Sequence, residues 1–348
     1  MSADPNGPNG PNDLRAVVDE VSSWLTLPAD EVDRHLGGPE YGRVTRSVSA
    51  LNHRASSGNA DAFYLQQLLL GRIYGVLTRI PDGPSAEGSV LLHTVTRLLE
   101  RATMAAEDAW IEPGLLDQAP TEGRAFVSWL KRLARQHQSY HHPYYAEFIH
   151  NHATAEDLRT YVIQESAVDG RFDDLLAMMQ VGTASNAKME IANNFWDEMG
   201  NGDPAVVHTH LFNQIFKVFD IDGTSIEGSL SANALLSGNL AVLLCRYRRL
   251  YPEAVGFLGM MEWLVPLRFK SVVRAWERLG LPDVGIVYHR LHIGIDSHHA
   301  AGWFRNVVEP ASGSEFMRRG ITRGALWRLN SSTRYLDERL PASIGPAA

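Results

Sequence analysis

Helical spacing of the apolar residues, the lack of any alternating strand-like run and the lack of a glycine-rich strand-to-helix turn predict an all-α protein. Leu65, Leu69, Ile73, Val76 and Ile80 recur in steps of four, four, three and four, broadened by Leu68, which places one stripe on a helix. No Rossmann or phosphate-loop fingerprint occurs.

Residues 1–12 are rich in Pro, Gly and Asn and read as a disordered lead. A helical extension is expected over 13–138, with helices at about 89–110 and 122–137. Pro81-Asp82-Gly83-Pro84, Pro113-Gly114 and His142-Pro143 punctuate it. A second domain is expected over 139–340, and 341–348 read as a flexible tail.

The 348 residues carry 32 basic and 40 acidic side chains, a net of −8, which argues against nucleic acid and against a polybasic membrane anchor. No apolar run approaches the ~18–20 residues of a membrane span, and the N-terminus lacks the charged and apolar regions of a secretory signal. The single cysteine, Cys245, excludes an intrachain disulfide and a zinc ribbon. A cytoplasmic protein is the expectation.

Histidines and carboxylates set into apolar helical faces concentrate beyond residue 140. Thr154-Ala155-Glu156-Asp157 resembles a capping box. After it, Leu158, Val162, Glu165, Asp169, Phe172 and Leu176 form one stripe, so Glu165 sits on a face that ought to be buried. Taken alone, Glu165 reads more simply as a helix-edge glutamate reaching solvent or an arginine. Ile191, Asn194 and Glu198 share the next face; Gly200-Asn201-Gly202 breaks that helix, and Asp203-Pro204 reads as the start of another. His208 continues its apolar face with Leu211, Phe212 and Ile215, while Asp197 and His210 point elsewhere.

The densest signal is VYHRLHIGIDSHHAAGW. On a helix Asp296 lies about 40° from His292 and His299 about 20° on its other side, with His289 on the flank at about 60°. Glu165, Glu198, His208, His292, Asp296 and His299 thus give three carboxylates and three imidazoles on separate helices. A nitrogen-oxygen set without thiolate favours iron or manganese, and six ligands suffice for two metals if a carboxylate bridges. Ferritin-like bundles need two Glu-x-x-His motifs, and only Glu147 to His150 matches, so a different helical scaffold is required.

The order Glu165, then Glu198 with His208 ten residues on, then His292-x3-Asp296-x2-His299, resembles the haem-oxygenase-like diiron oxidases and oxygenases, over about 140–310. The resemblance implies a haem-oxygenase-like helical bundle holding two Fe(II)/Fe(III) ions on those six residues, with O2 as co-substrate. Glu198 would be the bridging carboxylate. Glu262, in GMMEWLVP, and His289 would be an extra ligand or neighbours of the ligands. It further implies N-oxygenation, or desaturation or C–H oxidation, of a small amino-acid-like metabolite in secondary metabolism. Arg171, Arg268 and Arg290 are candidates to clamp a substrate carboxylate, and Trp196, Phe212, Trp263 and Trp303 to wall the site from water. Oxidative decarboxylation of a fatty acid on the same scaffold is the alternative, as are a single-metal hydrolase and a non-catalytic protein with a structural His-carboxylate network. Haem oxygenase activity itself is not expected, since the proximal histidine of that fold has no match. The partners expected are a small-molecule substrate, an external electron donor and a second copy of the chain.

Overall fold

The computed structural model describes residues 11–344, and among them there is no strand. The lead at 1–12 and the tail at 341–348 therefore fall largely outside the described residues, although Pro11 and Asn12 already belong to the first helix. The chain forms two compact units, one up to Ala109 and one from Trp110.

The first unit comprises α1 (Pro11–Trp24), α2 (Ala29–Asp33), α3 (Pro39–Ser56), α4 (Ala60–Thr78) and α5 (Val90–Asp108). Asn59 and Ser89 start α4 and α5 by accepting the backbone N–H groups of Ala62 and Leu92, at 2.8 and 3.1 Å. Val44, Val48, Leu51, Leu69, Ile73, Val95 and Leu99 are buried between α3, α4 and α5. The α4 stripe ends earlier than its spacing suggests. Ile80 lies beyond the helix and is 93% exposed, because Pro81 disfavours helical backbone at the residue before it.

The second unit opens with α6 (Gly123–Gln136), which the sequence reading assigned to the extension and which packs against helices near the C-terminus. A π-helical segment (Tyr144–His152) follows, then α7 (Ala155–Glu165), α8 (Phe172–Gln180), α9 (Ser185–Glu198), α10 (His208–Val218), α11 (Ala232–Arg246), α12 (Tyr251–Arg278), α13 (Val287–Trp303), the short α14 (Glu309–Ala311) and α15 (Glu315–Asp337). The capping box forms as read: Thr154 accepts the Asp157 N–H, and Asp157 accepts the Thr154 N–H at 2.8 Å.

The 28-residue α12 is the axis of this unit, packed on α15, α13, α11 and the π-helical segment. Glycines let α12 and α15 meet backbone to backbone. A Cβ on Gly256 would lie 1.9 Å from the Ile321 carbonyl, and one on Gly324 1.9 Å from the Glu253 carbonyl. Pro266, inside α12, removes the N–H that would bond the carbonyl four residues back, which belongs to Glu262.

Two histidines pin the segment between α6 and the π-helical segment to α15. His137 Nδ1 accepts the Ser139 N–H, and its Nε2 donates to Asn330 at 3.0 Å. His142 repeats the pattern with Tyr144 and Asp337, at 3.1 and 3.0 Å. Burial lowers the pKa of both below 6.5, partly offset by Asn330 and Asp337. Each group is less basic folded than unfolded, so its contribution is fully present above pH 6.5 and is lost as pH falls from there through the lowered folded value. The unfolding midpoint of H142Q is expected to fall less steeply than that of the wild type between pH 7 and 5, read by thermal melts; parallel curves would contradict the assignment.

Candidate metal centre

The site is built where helix ends and helix faces converge. Glu198 is the last residue of α9, buried with Ile191 and Asn194 on one face as their spacing predicts. The chain then reverses through Gly200, Asn201 and Gly202, all with positive φ. Gly200 is required there twice over: its φ is 62°, and a Cβ would lie 2.8 Å from the Val206 backbone. Asp203-Pro204 starts one turn of 3-10 helix rather than α10, which begins at His208 itself. The reversal brings His208 Nδ1 to 2.8 Å from Glu198 Oε2.

Helix α13 presents His292, Asp296 and His299 on one buried face and leaves Ser297 and His298 exposed, as the angular positions require. Two groups result, and all six members are buried. One is Glu198, His208 and His292; the other is Glu262, Asp296 and His299. His292 Nε2 stands 3.8 Å from Glu198 Oε1, and His299 Nδ1 stands 3.7 Å from Glu262 Oε2 and 4.0 Å from Asp296 Oδ1. A cavity of about 30 Å³ adjoins both groups, lined by Glu198, Glu262, His292, Asp296, Asp169 and Tyr288 with apolar neighbours such as Met261 and Phe269.

Hydrogen bonds behind the histidines fix which nitrogen faces inward. His292 Nδ1 donates to the Tyr288 carbonyl at 2.7 Å, and His299 Nε2 donates to Asp197 at 2.9 Å. Asp197, read from sequence as pointing elsewhere, thus orients His299.

Protonation follows from crowding. Burial would raise the Glu198 carboxyl, but His208 and His292 outweigh it and bring it down to about 2. Burial would lower His299, but Glu262 and Asp197 raise it to about 9. Asp296 is driven well above the usual carboxylate range by burial and then by Glu262, Glu198 and Asp169. Burial and Glu165 do the same to Asp169, against the pull of Arg328.

The donor set fits a metal. His208 Nδ1, His299 Nδ1, Glu262 Oε1 and Asp169 Oδ2 are buried atoms that lack a hydrogen bond. The 2.8 Å approach of His208 to Glu198 is close without being aligned as a hydrogen bond, the arrangement of two ligands aimed at one cation. Nitrogen and carboxylate oxygen without thiolate suit iron or manganese.

The other predicted residues fall outside these two groups. Glu165 closes α7 half-buried, takes a hydrogen bond from the Tyr335 hydroxyl and belongs to neither group. Its stripe breaks there, and Asp169, in a 3-10 turn before α8, reaches the cavity instead. His289 is fully buried between Tyr161 and Phe269, its Nε2 3.2 Å from the Tyr161 hydroxyl, and burial and then His292 lower it to about 3. Arg268 is buried but donates to the Ser139 carbonyl and Ser332. Arg290 pairs with Glu277 and Asp283 at 3.2 and 3.0 Å, and Arg171 is half-buried at the start of α8. None of the three lines the cavity. Of the aromatics, Trp196 is largely exposed, while Phe212 and Trp303 are core.

Because Asp296 binds its proton more tightly folded than unfolded, its burial costs stability at neutral pH and the cost vanishes as pH falls below 3.8. The metal-free D296N protein is therefore expected to melt several degrees above the wild type at pH 7. The gap should close toward pH 4 in calorimetric scans; a lower midpoint than wild type at pH 7 would contradict the crowding.

Residues 159–333, just over half of the chain, match the family described as iron-containing redox enzyme. No curated protein matches the sequence. Among the described residues no helix is long and apolar enough to cross a membrane. With the all-helical bundle and the two buried His-carboxylate groups already in place, the chain belongs to the iron-containing redox enzyme family, oxidoreductases of the haem-oxygenase-like superfamily.

Proposed function

We propose that the protein is a nonhaem diiron enzyme that uses O2 to oxidise a small metabolite. The observation that carries the reading is the pair of buried groups, each with imidazole and carboxylate, facing one small cavity. Glu198, His208 and His292 would hold one iron and Glu262, Asp296 and His299 the other. Asp169, at the same cavity, takes the place of Glu165 in the ligand set we favour. When bound, the two irons supply the electrons and open positions that activate dioxygen.

The protein's own groups prepare that chemistry. Tyr288 and Asp197 hold His292 and His299 with Nε2 and Nδ1, respectively, facing inward, and His299 would release its inward proton as a cation binds. Glu198 directs one oxygen at His208 and the other toward His292, and it shares the cavity with Glu262 and Asp296, which suits a carboxylate that bridges. Met261, Val265 and Phe269 give the cavity its apolar wall. At about 30 Å³ the cavity is small beside the several hundred Å³ of an ordinary small-molecule site. The organic substrate must reach the site from outside it. Within this reading the substrate is amino-acid-like, an external donor supplies electrons, and the reaction runs in the cytoplasm.

Anaerobic titration of the metal-free protein with ferrous iron is expected to end at about two ions per chain. His208→Ala and His299→Ala should each lower the endpoint to about one and abolish amine-stimulated oxygen consumption, while Glu165→Ala leaves two and Asp169→Asn weakens one. An endpoint of one in the wild type, or an unchanged endpoint in both histidine variants, would overturn the dinuclear reading.

A further inference from the structure

A second pocket shares a lining residue with the site. Its lining comprises Tyr140, Glu262, Trp263, Pro266, Leu267, Lys270, Ser297 and Ala300, between α12 and α13, and its volume is about 250 Å³. Glu262 lines both this pocket and the cavity at the two groups. That side chain is almost fully buried, and its Oε1 has no hydrogen-bond partner.

The chemistry of the walls is uneven. Tyr140, Trp263, Pro266 and Leu267 give flat and apolar surface, and Leu267 is exposed although apolar. Lys270 is the one cation among the lining residues and is exposed. It follows Glu262 by eight residues on α12, about 12 Å along the helix axis. The positive field is reinforced from α6: Lys131 Nζ lies 4.4 Å over the Trp263 ring, and the Arg135 guanidinium lies 5.4 Å from it. The Trp263 Nε1–H is buried without an acceptor, a further donor at this wall. Pro266 leaves the Glu262 carbonyl without its helical N–H partner, at the residue the two spaces share.

We infer that this pocket binds a small carboxylate with a flat, aromatic body, its anionic end at Lys270 and its other end directed at Glu262. A volume of about 250 Å³ matches a ligand of that size and lies near the lower end of small-molecule sites. That the occupant is the substrate of the iron site rests on the dinuclear reading; the binding itself does not. Lys270 then acts as the specificity-determining residue, and the aromatic walls orient the body of the ligand.

The test titrates the full-length metal-free chain with 3-phenylpropanoate and with the neutral 3-phenylpropan-1-ol by isothermal calorimetry. The acid is expected to bind at least about tenfold tighter than the alcohol, and Lys270→Glu to weaken the acid by at least about tenfold. Lys270→Arg should retain it, and Ser297→Trp, which fills the pocket from its exposed rim, should abolish it. Thermal midpoints and ferrous iron endpoints of these variants should match the wild type. Equal binding of acid and alcohol, wild-type binding by Lys270→Glu or Ser297→Trp, or no binding by the wild type would overturn the inference. A normal iron endpoint without acid binding removes the pocket and leaves the dinuclear reading standing. Lys270-dependent binding in a chain that takes up no iron upholds the pocket and removes that reading.

Discussion

Carboxylates packed together away from water repel one another unless protons or a cation lie between them, and the second unit is organised around that constraint. Glu198, Glu262, Asp296 and Asp169 line one cavity with His292, and His208 and His299 complete the two groups. Without metal the crowding shows in proton affinity: Asp296 and Asp169 are driven well above the usual carboxylate range and His299 is raised to about 9. A divalent cation in each group would relieve that crowding while releasing protons, which is why the arrangement reads as a site rather than as a stabilising network.

Holding such groups close demands a scaffold that cannot spread. The α12–α15 contact through Gly256 and Gly324 locks the axis of the unit, because any larger side chain would meet a carbonyl. On the opposite side, the reversal at Gly200 sets the C-terminus of α9 against the N-terminus of α10, so two helix ends rather than two faces supply Glu198 and His208. Pro266 introduces one discontinuity, located at Glu262, the residue that the cavity and the second pocket share.

Much of this was legible in one dimension. A helix keeps a fixed angular relation among its residues, so the common face of His292, Asp296 and His299 followed from spacing, as did the burial of Glu198 and the capping box of Thr154. At Glu165 spacing alone does not place the side chain. Its stripe continued through Asp169 in sequence, but α7 stops at Glu165, and the 3-10 turn that follows carries Asp169 to the cavity while Glu165 meets Tyr335. Nothing in the periodicity marks that break, since the turn is short and lies between two good helices.

Spacing along single helices therefore determined the fold class and most of the residues with ligand chemistry, because those depend only on neighbours three and four apart. Partition of those residues into two groups, the entry of Glu262 into one of them, and the role of Asp197 behind His299 were decided by how α9, α10, α12 and α13 pack. The fate of the arginines was decided the same way, with Arg268 spent on Ser139 and Ser332 and Arg290 on Glu277 and Asp283. These are distances between residues far apart in the chain, and only the packing of whole helices fixes them.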